Sequence, residues 1–329
     1  MFAEAIASIL AGHCTPADVR AIETGASAQP LARALSEAGF LALLAPEERG
    51  GGGVGWRDFF EVVTLLGAWS APLPVAQTMV SRLLDPGEPP DGFVAFAPHI
   101  ARGSDGSLSA ANVPFGRTAQ HVAGVVDGGL VVLPVSGARV QASGVHASLA
   151  ASLAWSEPSP RKLASPITPD AFTAVAALLQ AGLLAGAIKR SFDLTLAYAN
   201  DRVQFGKSIG KFQAIQHQLS LMAEHTAASR IAVEAAFSTD AAWPRVEACA
   251  VAKARTSEAA QLVASIAHAV HGAIGVTQEY DLQLSTRRLH EWRIAHGSEA
   301  HWHRVLGRLV LASPQPLAAD VARSLYATA

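Results

Sequence analysis

Asp201-Arg202-Val203-Gln204-Phe205-Gly206-Lys207-Ser208-Ile209-Gly210-Lys211 stands between two long apolar stretches, and the run continues unbroken as Phe212-Gln213-Ala214-Ile215-Gln216-His217. An arginine, an amide side chain and an aromatic ring fall within four positions, next to glycines that let a backbone approach a ligand. Arg202 carries the planar fork that pairs bidentately with a phosphate or pyrophosphate. Gln204 offers both donor and acceptor, and Phe205 offers an apolar face. On spacing alone, a solvated loop between helices explains these residues as well as a ligand site does.

Working outward, the flanking segments read as long helices. Pro169-Asp170 starts one that runs to about Tyr198, with Thr168 as its N-cap. A second covers Phe212 to about Phe237, and Trp243-Pro244 opens a third that continues to about His271. Residues 272–277 break the pattern before Glu279 restarts it. The tail after Ser313 holds Pro314 and Pro316 and is expected to be loosely held.

Upstream the character changes twice. From about 92 to 165, short β-prone runs (Phe93 to Phe96, His121 to Val126, Leu130 to Val135) alternate with glycine and proline. Asp127-Gly128-Gly129 fits a hairpin turn, and Gly103-Ser104-Asp105-Gly106 reads as a turn. Residues 1 to about 90 are helical in tendency. Leu31, Leu35 and Ala38 share a face, Gly39 supplies a stop, and a helix follows from Trp56 to Ala68. Gly50 to Gly53 lacks the Gly-Lys-Ser/Thr of a phosphate loop and reads as a flexible connection. The order is helices at 1–90, a small β unit at 91–166, a helical unit at 167–313 and a tail at 314–329.

Composition narrows the class. Half of the 329 residues are hydrophobic, only 16% are charged and the formal net charge is -2. This gives no basic footprint for nucleic acid and no disordered, solvating chain. Mean hydropathy of +0.26 leaves apolar surface for subunit contacts. Cys14 and Cys249 form neither a disulfide framework nor a metal set, which suits a cytoplasmic setting. Met1 to Leu10 contains Glu4 and no basic leader, so it is not read as a signal peptide. The most apolar stretch, Ala171 to Ala187, carries Gln180 and is expected to be a buried helix, with no membrane span. His268 and His271 share a helical face, His301 and His303 do not, and no third ligand accompanies either pair, so no metal is expected.

Arg-x-Gln-Phe-Gly-x-x-Ile-x-x-Phe-Gln-Ala-Ile-Gln-His, from Arg202 to His217, closely resembles a signature of the acyl-CoA dehydrogenase family's C-terminal domain. Ala45-Pro46-Glu47-Glu48-Arg49-Gly50-Gly51 is similar to the family's Pro-Glu-Glu-Tyr-Gly-Gly loop, with Arg49 in place of the aromatic. His271-Gly272-Ala273-Ile274-Gly275-Val276-Thr277 is similar to its His-Gly-Gly-Ile-Gly-Phe-Thr segment. The resemblance implies a mainly α fold: an N-terminal helical domain, a middle β domain and a C-terminal four-helix bundle. It implies FAD as cofactor, an acyl-CoA thioester as substrate, and α,β-dehydrogenation. It also implies that Arg202, Gln204, Phe205, Phe212 and Gln213, with Gly272 and Gly275, line the flavin dinucleotide across a subunit interface.

The departures from the family pattern are as informative. Proton removal beside a thioester needs a base, and the family places a glutamate at one of two positions. Here these hold Ala176 and His296, leaving no assigned catalytic residue. Asp170 and Glu157 are alternative carboxylates that nothing in the sequence sets near a substrate. Ala269 replaces a flavin-binding glutamine and Ala273 a glycine. Trp155 is the only tryptophan in the β unit and a weak match to the family's tryptophan-threonine element.

Resemblance and departures together imply the shorter, non-catalytic partner of a heteromeric acyl-CoA dehydrogenase. Such a chain completes the FAD site of a catalytic subunit in a heterotetramer acting on a bulky, sterol-type thioester. The alternatives are a self-sufficient homomer using His296 or Asp170 as base, and a structural relative without flavin.

Overall fold

Short amphipathic helices open the chain. The computed structural model describes residues 2–314 apart from 86 and 166, together with 319 and 323. Helix α1 (Phe2–His13) buries Ile6 and Leu10. Helix α2 (Pro16–Glu23) begins with a capping box: Thr15 Oγ1 accepts from the Asp18 amide, and the Asp18 carboxylate accepts from the Thr15 amide. Helix α3 (Gln29–Glu37) buries Leu31 and Leu35 and stops before Gly39, whose φ is +74°. Ala38 is exposed just past the helix end, so the apolar face is shorter than the sequence pattern suggests.

The glycine run that follows is tied down rather than flexible. Amides of Gly51, Gly52 and Gly53 donate to the carbonyls of Pro46, Ala42 and Ala45. A Cβ on Gly51 would sit 2.0 Å from the Ala45 oxygen, so only glycine permits this fold-back. Helices α4 (Trp56–Ala68) and α5 (Val75–Leu84) complete the zone.

The β unit is fuller than its sequence signals indicate. Its strands are β1 (Val94–Ala97), β2 (Ala101–Arg102), β3 (Leu108–Val113), β4 (His121–Val126), β5 (Gly129–Pro134), β6 (Arg139–Ala142), β7 (Ala151–Trp155) and β8 (Arg161–Lys162). One sheet has the order β1-β4-β5-β8, with β1 parallel to β4; the other runs β2-β3-β7-β6, all antiparallel. The β4–β5 hairpin pairs Val126 with Gly129 across Asp127-Gly128, both at positive φ, as the Asp-Gly signal predicts. Leu108, Val122, Leu133, Leu153 and Trp155 form the core between the sheets. Trp155, the weak match to the family's tryptophan-threonine element, is buried there with its indole N–H on the Pro134 carbonyl (2.8 Å) and serves the core. Residues 103–107 form the expected turn, closed from Gly103 N to Ser107 O.

Helix α6 (Pro169–Asp201) starts at Thr168, whose hydroxyl accepts from the Ala171 amide. It is apolar and long enough to cross a membrane, yet 89% of its apolar window is buried inside the protein, as read for Ala171 to Ala187. Residues 246–276 pass the same length and composition test with 44% of their window buried. Gly67 of α4 and Gly186 of α6 let the two helices nearly touch. A Cβ on Gly186 would lie 1.9 Å from the Thr64 oxygen, and one on Gly67 would lie 2.1 Å from that of Leu183.

Two-residue strands β9 (Val203–Gln204) and β10 (Lys207–Ser208) lead through a short 3₁₀ turn into α7 (Gln213–Phe237). Then come α8 (Val246–His271), the 3₁₀ segment Gly272–Val276, α9 (Leu282–Ile294) and α10 (Glu299–Ala312). Helices α6 to α9 pack as the expected bundle, with α10 laid on α8. The N-terminal helices share one hydrophobic core with this bundle. The tail reading falls outside the described residues except at 314, 319 and 323.

Candidate functional site

The Arg202 loop is a β-hairpin standing out from the bundle. Its base is closed by two backbone bonds, from Arg202 N to Tyr198 O (2.9 Å) and from Ile209 N to Arg202 O (2.8 Å). Gln204 pairs with Lys207, leaving Phe205 and Gly206 as the two tip residues at φ +52° and +79°. Positive φ at both tip residues is what a two-residue hairpin turn demands, and at Phe205, a bulky residue, it carries some backbone strain. The Phe205 ring is 91% exposed and meets Phe212 edge-on at 6.2 Å. Lys207 Nζ lies 4.4 Å from the centre of the Phe212 ring.

Arg202, Gln204 and Gln213 are exposed, and the Arg202 guanidinium has no carboxylate or hydrogen-bond partner among the described residues. Arg202, Lys207 and Lys211 therefore present positive charge with unused donors beside an uncovered ring. That donor set fits the diphosphate and sugar of a dinucleotide. Among the described residues, the Phe205 tip stands uncovered and offers no wall for a flavin ring.

The Gly272–Val276 segment lies near the foot of the hairpin, held through Tyr198 and His271. Gly272 (φ +64°), Ala273 and Ile274 are exposed. Gly275 is not: a Cβ there would meet the His271 Cβ at 2.8 Å and Leu282 Cδ2 at 3.3 Å. Its small size serves packing under the turn. His268 bonds Thr286 through Nε2 (2.9 Å), and no His/Cys/Asp/Glu cluster capable of holding a metal occurs among the described residues.

The two usual base positions lie apart from the hairpin residues. Ala176 is buried in the core of α6 and offers no polar atom. His296 lies in the turn between α9 and α10, at φ +55°, beside a cavity of about 600 Å³. The cavity is bounded by Phe96, Pro98, Val113, Pro114 and Ile294, and its polar lining includes His99, Asn112, Thr173, Glu291 and His301 beside His296. Part of the His296 surface is open, but dense surroundings and nearby Lys253 push its pKa down to about 3. Burial raises the pKa of Glu291, against hydrogen bonds from Ser148 and the Val145 backbone. The sequence reading missed Glu291, because only the fold brings α9 against residues 143–149. Asp170 and Glu157 are exposed and do not line this cavity. A larger cleft of about 920 Å³, between α3 and the start of β1, contains none of the motif residues.

Comparison with known proteins gives the class. Residues 171–311 match the family described as acyl-CoA dehydrogenase, C-terminal domain. The chain is 32% identical over 310 residues to acyl-CoA dehydrogenase IpdE2 of Mycolicibacterium smegmatis, covering 87% of this chain and 90% of the relative. It resembles a chain of the ChsE4-ChsE5 complex from Mycobacterium tuberculosis, with a TM-score of 0.82 and 20% identity over 95% of this chain and 97% of that one. A Tcur3481-Tcur3483 steroid ACAD variant gives a TM-score of 0.75 at 24% identity, covering 94% of this chain and 96% of that one. The chain belongs to the acyl-CoA dehydrogenase family, whose members are FAD-dependent oxidoreductases acting on acyl-CoA thioesters.

Proposed function

We propose that this chain is the partner subunit of a heteromeric acyl-CoA dehydrogenase, lending the Arg202 hairpin to a FAD held mainly by a catalytic subunit. One observation carries this reading: the dinucleotide-type donors stand on an exposed hairpin, whereas the usual base positions hold a buried alanine and a histidine of very low basicity. Arg202 and Gln204 would bind the diphosphate and sugar, Phe205 would pack against the dinucleotide, and Phe212 would brace the tip. When bound, the flavin supplies hydride acceptance from the β carbon of the thioester. The base that removes the α proton comes from the other chain. His296, with a pKa of about 3, is neutral at physiological pH, but its low basicity gives little driving force for taking that proton. This weighs against a self-sufficient homomer. The steroid ACAD neighbour lends support to a bulky, steroid-type acyl group.

Purification alone and after co-expression with a catalytic acyl-CoA dehydrogenase chain tests the reading. Flavin absorbance and enoyl-CoA formation are expected only in the co-expressed complex. A stoichiometric flavin spectrum with turnover from the lone chain would sink it. Within the complex, Arg202→Ala removes charge-assisted bonds and is expected to weaken flavin retention by roughly ten- to a hundredfold. Unchanged flavin content would remove Arg202 from the site.

A further inference from the structure

Tyr198 lies one helical turn before Arg202 and accepts its amide proton. The Tyr198 ring stacks on His271, with centroids 4.4 Å apart and planes at 22°. Its hydroxyl is 3.4 Å from the His271 carbonyl, a contact between residues 73 apart in the chain. Tyr280 closes the group, 5.1 Å from His271 and 6.1 Å from Tyr198. His271 is the last residue of α8, and Gly272 follows directly. Three rings thus join the foot of the Arg202 hairpin to the exposed turn that begins at Gly272.

The state of His271 supports a geometric role. The ring bonds the Ala267 carbonyl through Nδ1 (2.8 Å), which requires the proton on that nitrogen and leaves Nε2 as an acceptor. Nε2 is enclosed without a hydrogen-bond partner. Leaving a buried acceptor unused is destabilising, so hydrogen bonding alone does not account for an imidazole here. What the ring does accomplish is to fill the space between two tyrosines and set the direction in which α8 ends.

We infer that Tyr198, His271 and Tyr280 form a positioning cluster that locks the Gly272 turn to the Arg202 hairpin, so that both segments meet one dinucleotide as a single rigid edge. This rests on the dinucleotide reading of the hairpin. None of the three residues needs to touch the ligand, and Tyr198 acts through the backbone that it holds.

The test uses the co-purified complex stripped of flavin and titrated with FAD, and separately with ADP, which lacks the flavin ring. Tyr198→Ala is expected to weaken both ligands about tenfold, the scale of a lost aromatic stack. Tyr198→Phe, which restores the ring, should return affinity to within about twofold, because the long hydroxyl contact contributes little. Tyr280→Leu removes one side of the stack and serves if Tyr198→Ala fails to fold; about threefold weakening is expected. A merely structural role would lower stability but leave the losses independent. A positioning role predicts that Tyr198→Ala adds less than about twofold on top of Arg202→Ala. Full multiplication of the two losses overturns the cluster. So does unchanged affinity in Tyr198→Ala, or in Tyr280→Leu when that variant stands in, while Arg202→Ala weakens binding. If Arg202→Ala itself changes nothing, the hairpin reading fails and takes the cluster with it.

Discussion

Lys253 holds the turn that carries His296, donating from Nζ to the carbonyls of Arg293 (2.7 Å) and Gly297 (2.9 Å) on either side of it. Lys253 is fully buried, and its third bond goes to Ser257 Oγ at 2.8 Å. The Trp302 indole N–H adds a bond to the His296 carbonyl. An ammonium thus satisfies one orphan carbonyl at the end of α9, that of Arg293, and one in the turn beyond it, and its charge disfavours a second cation at His296.

Lys253 gives the first pH prediction. Burial lowers its pKa from the ordinary lysine value of 10.5 to about 7. Between those values the unfolded chain binds more protons, so this group makes stability rise with pH across that window. Lys253→Met, compared with wild type by thermal unfolding from pH 7 to 10, should lose that rise. An identical pH slope in both proteins would show that Lys253 stays charged throughout.

His296 acts on the acid side. Its folded pKa of about 3 lies below the ordinary histidine value of 6.5, so the unfolded chain takes up the extra proton as pH falls between them. Stability is therefore lost on acidification, by about 2 kcal/mol at pH 5 from this group alone. His296→Gln should flatten the decline between pH 6.5 and 4.5 in urea unfolding. A parallel decline would contradict the depressed basicity.

The α4–α6 contact predicts a steric effect. Gly186→Ala would drive a methyl group into the Thr64 carbonyl, and the helices would have to separate. A loss of about 3 kcal/mol or more is expected in urea unfolding, the upper range for overpacking. Gly307→Ala, where a Cβ meets nothing within 4 Å, provides the matched control.

Glu23 is buried between two guanidiniums, 2.7 Å from Arg287 and 2.8 Å from Arg288. Glu23→Gln keeps the shape but leaves two cations uncompensated, which should cost about 3 kcal/mol. Arg287 also donates to the His146 carbonyl, so raised protease sensitivity near residues 143–149 should accompany the loss.

What the sequence revealed depended on the range of the interactions. The Thr168 cap, the Asp127-Gly128 turn and the limits of Trp56–Ala68 are set by neighbours within a few residues, and all could be read directly. Strands β3, β6 and β7 could not. Their pairings, such as Leu108 with Trp155, join distant segments, and their solvent faces dilute the apolar signal. The Arg202 hairpin escaped notice because each arm has only two residues, too few for an alternating pattern. Its chemistry was visible only through family resemblance. Lys253 and Glu23 looked like ordinary charges on helices, since their partners lie 40 to 44 and 264 to 265 residues away. The burial of Gly275 was hidden for a related reason: a short motif marks which glycines recur, but not which side of the turn each one faces.

The two-residue arms of the hairpin fix its reach. With the foot closed by two backbone bonds and the tip confined to Phe205 and Gly206, there is little slack in which the ring can wander. On the partner-subunit reading, a companion surface docking here would meet a preformed peg rather than a loop that must first be ordered, so most of the backbone entropy would be lost when this chain folds, before any encounter. Recognition then becomes a matter of socket depth: lengthening either arm by one residue would disturb the fit even with every side chain retained.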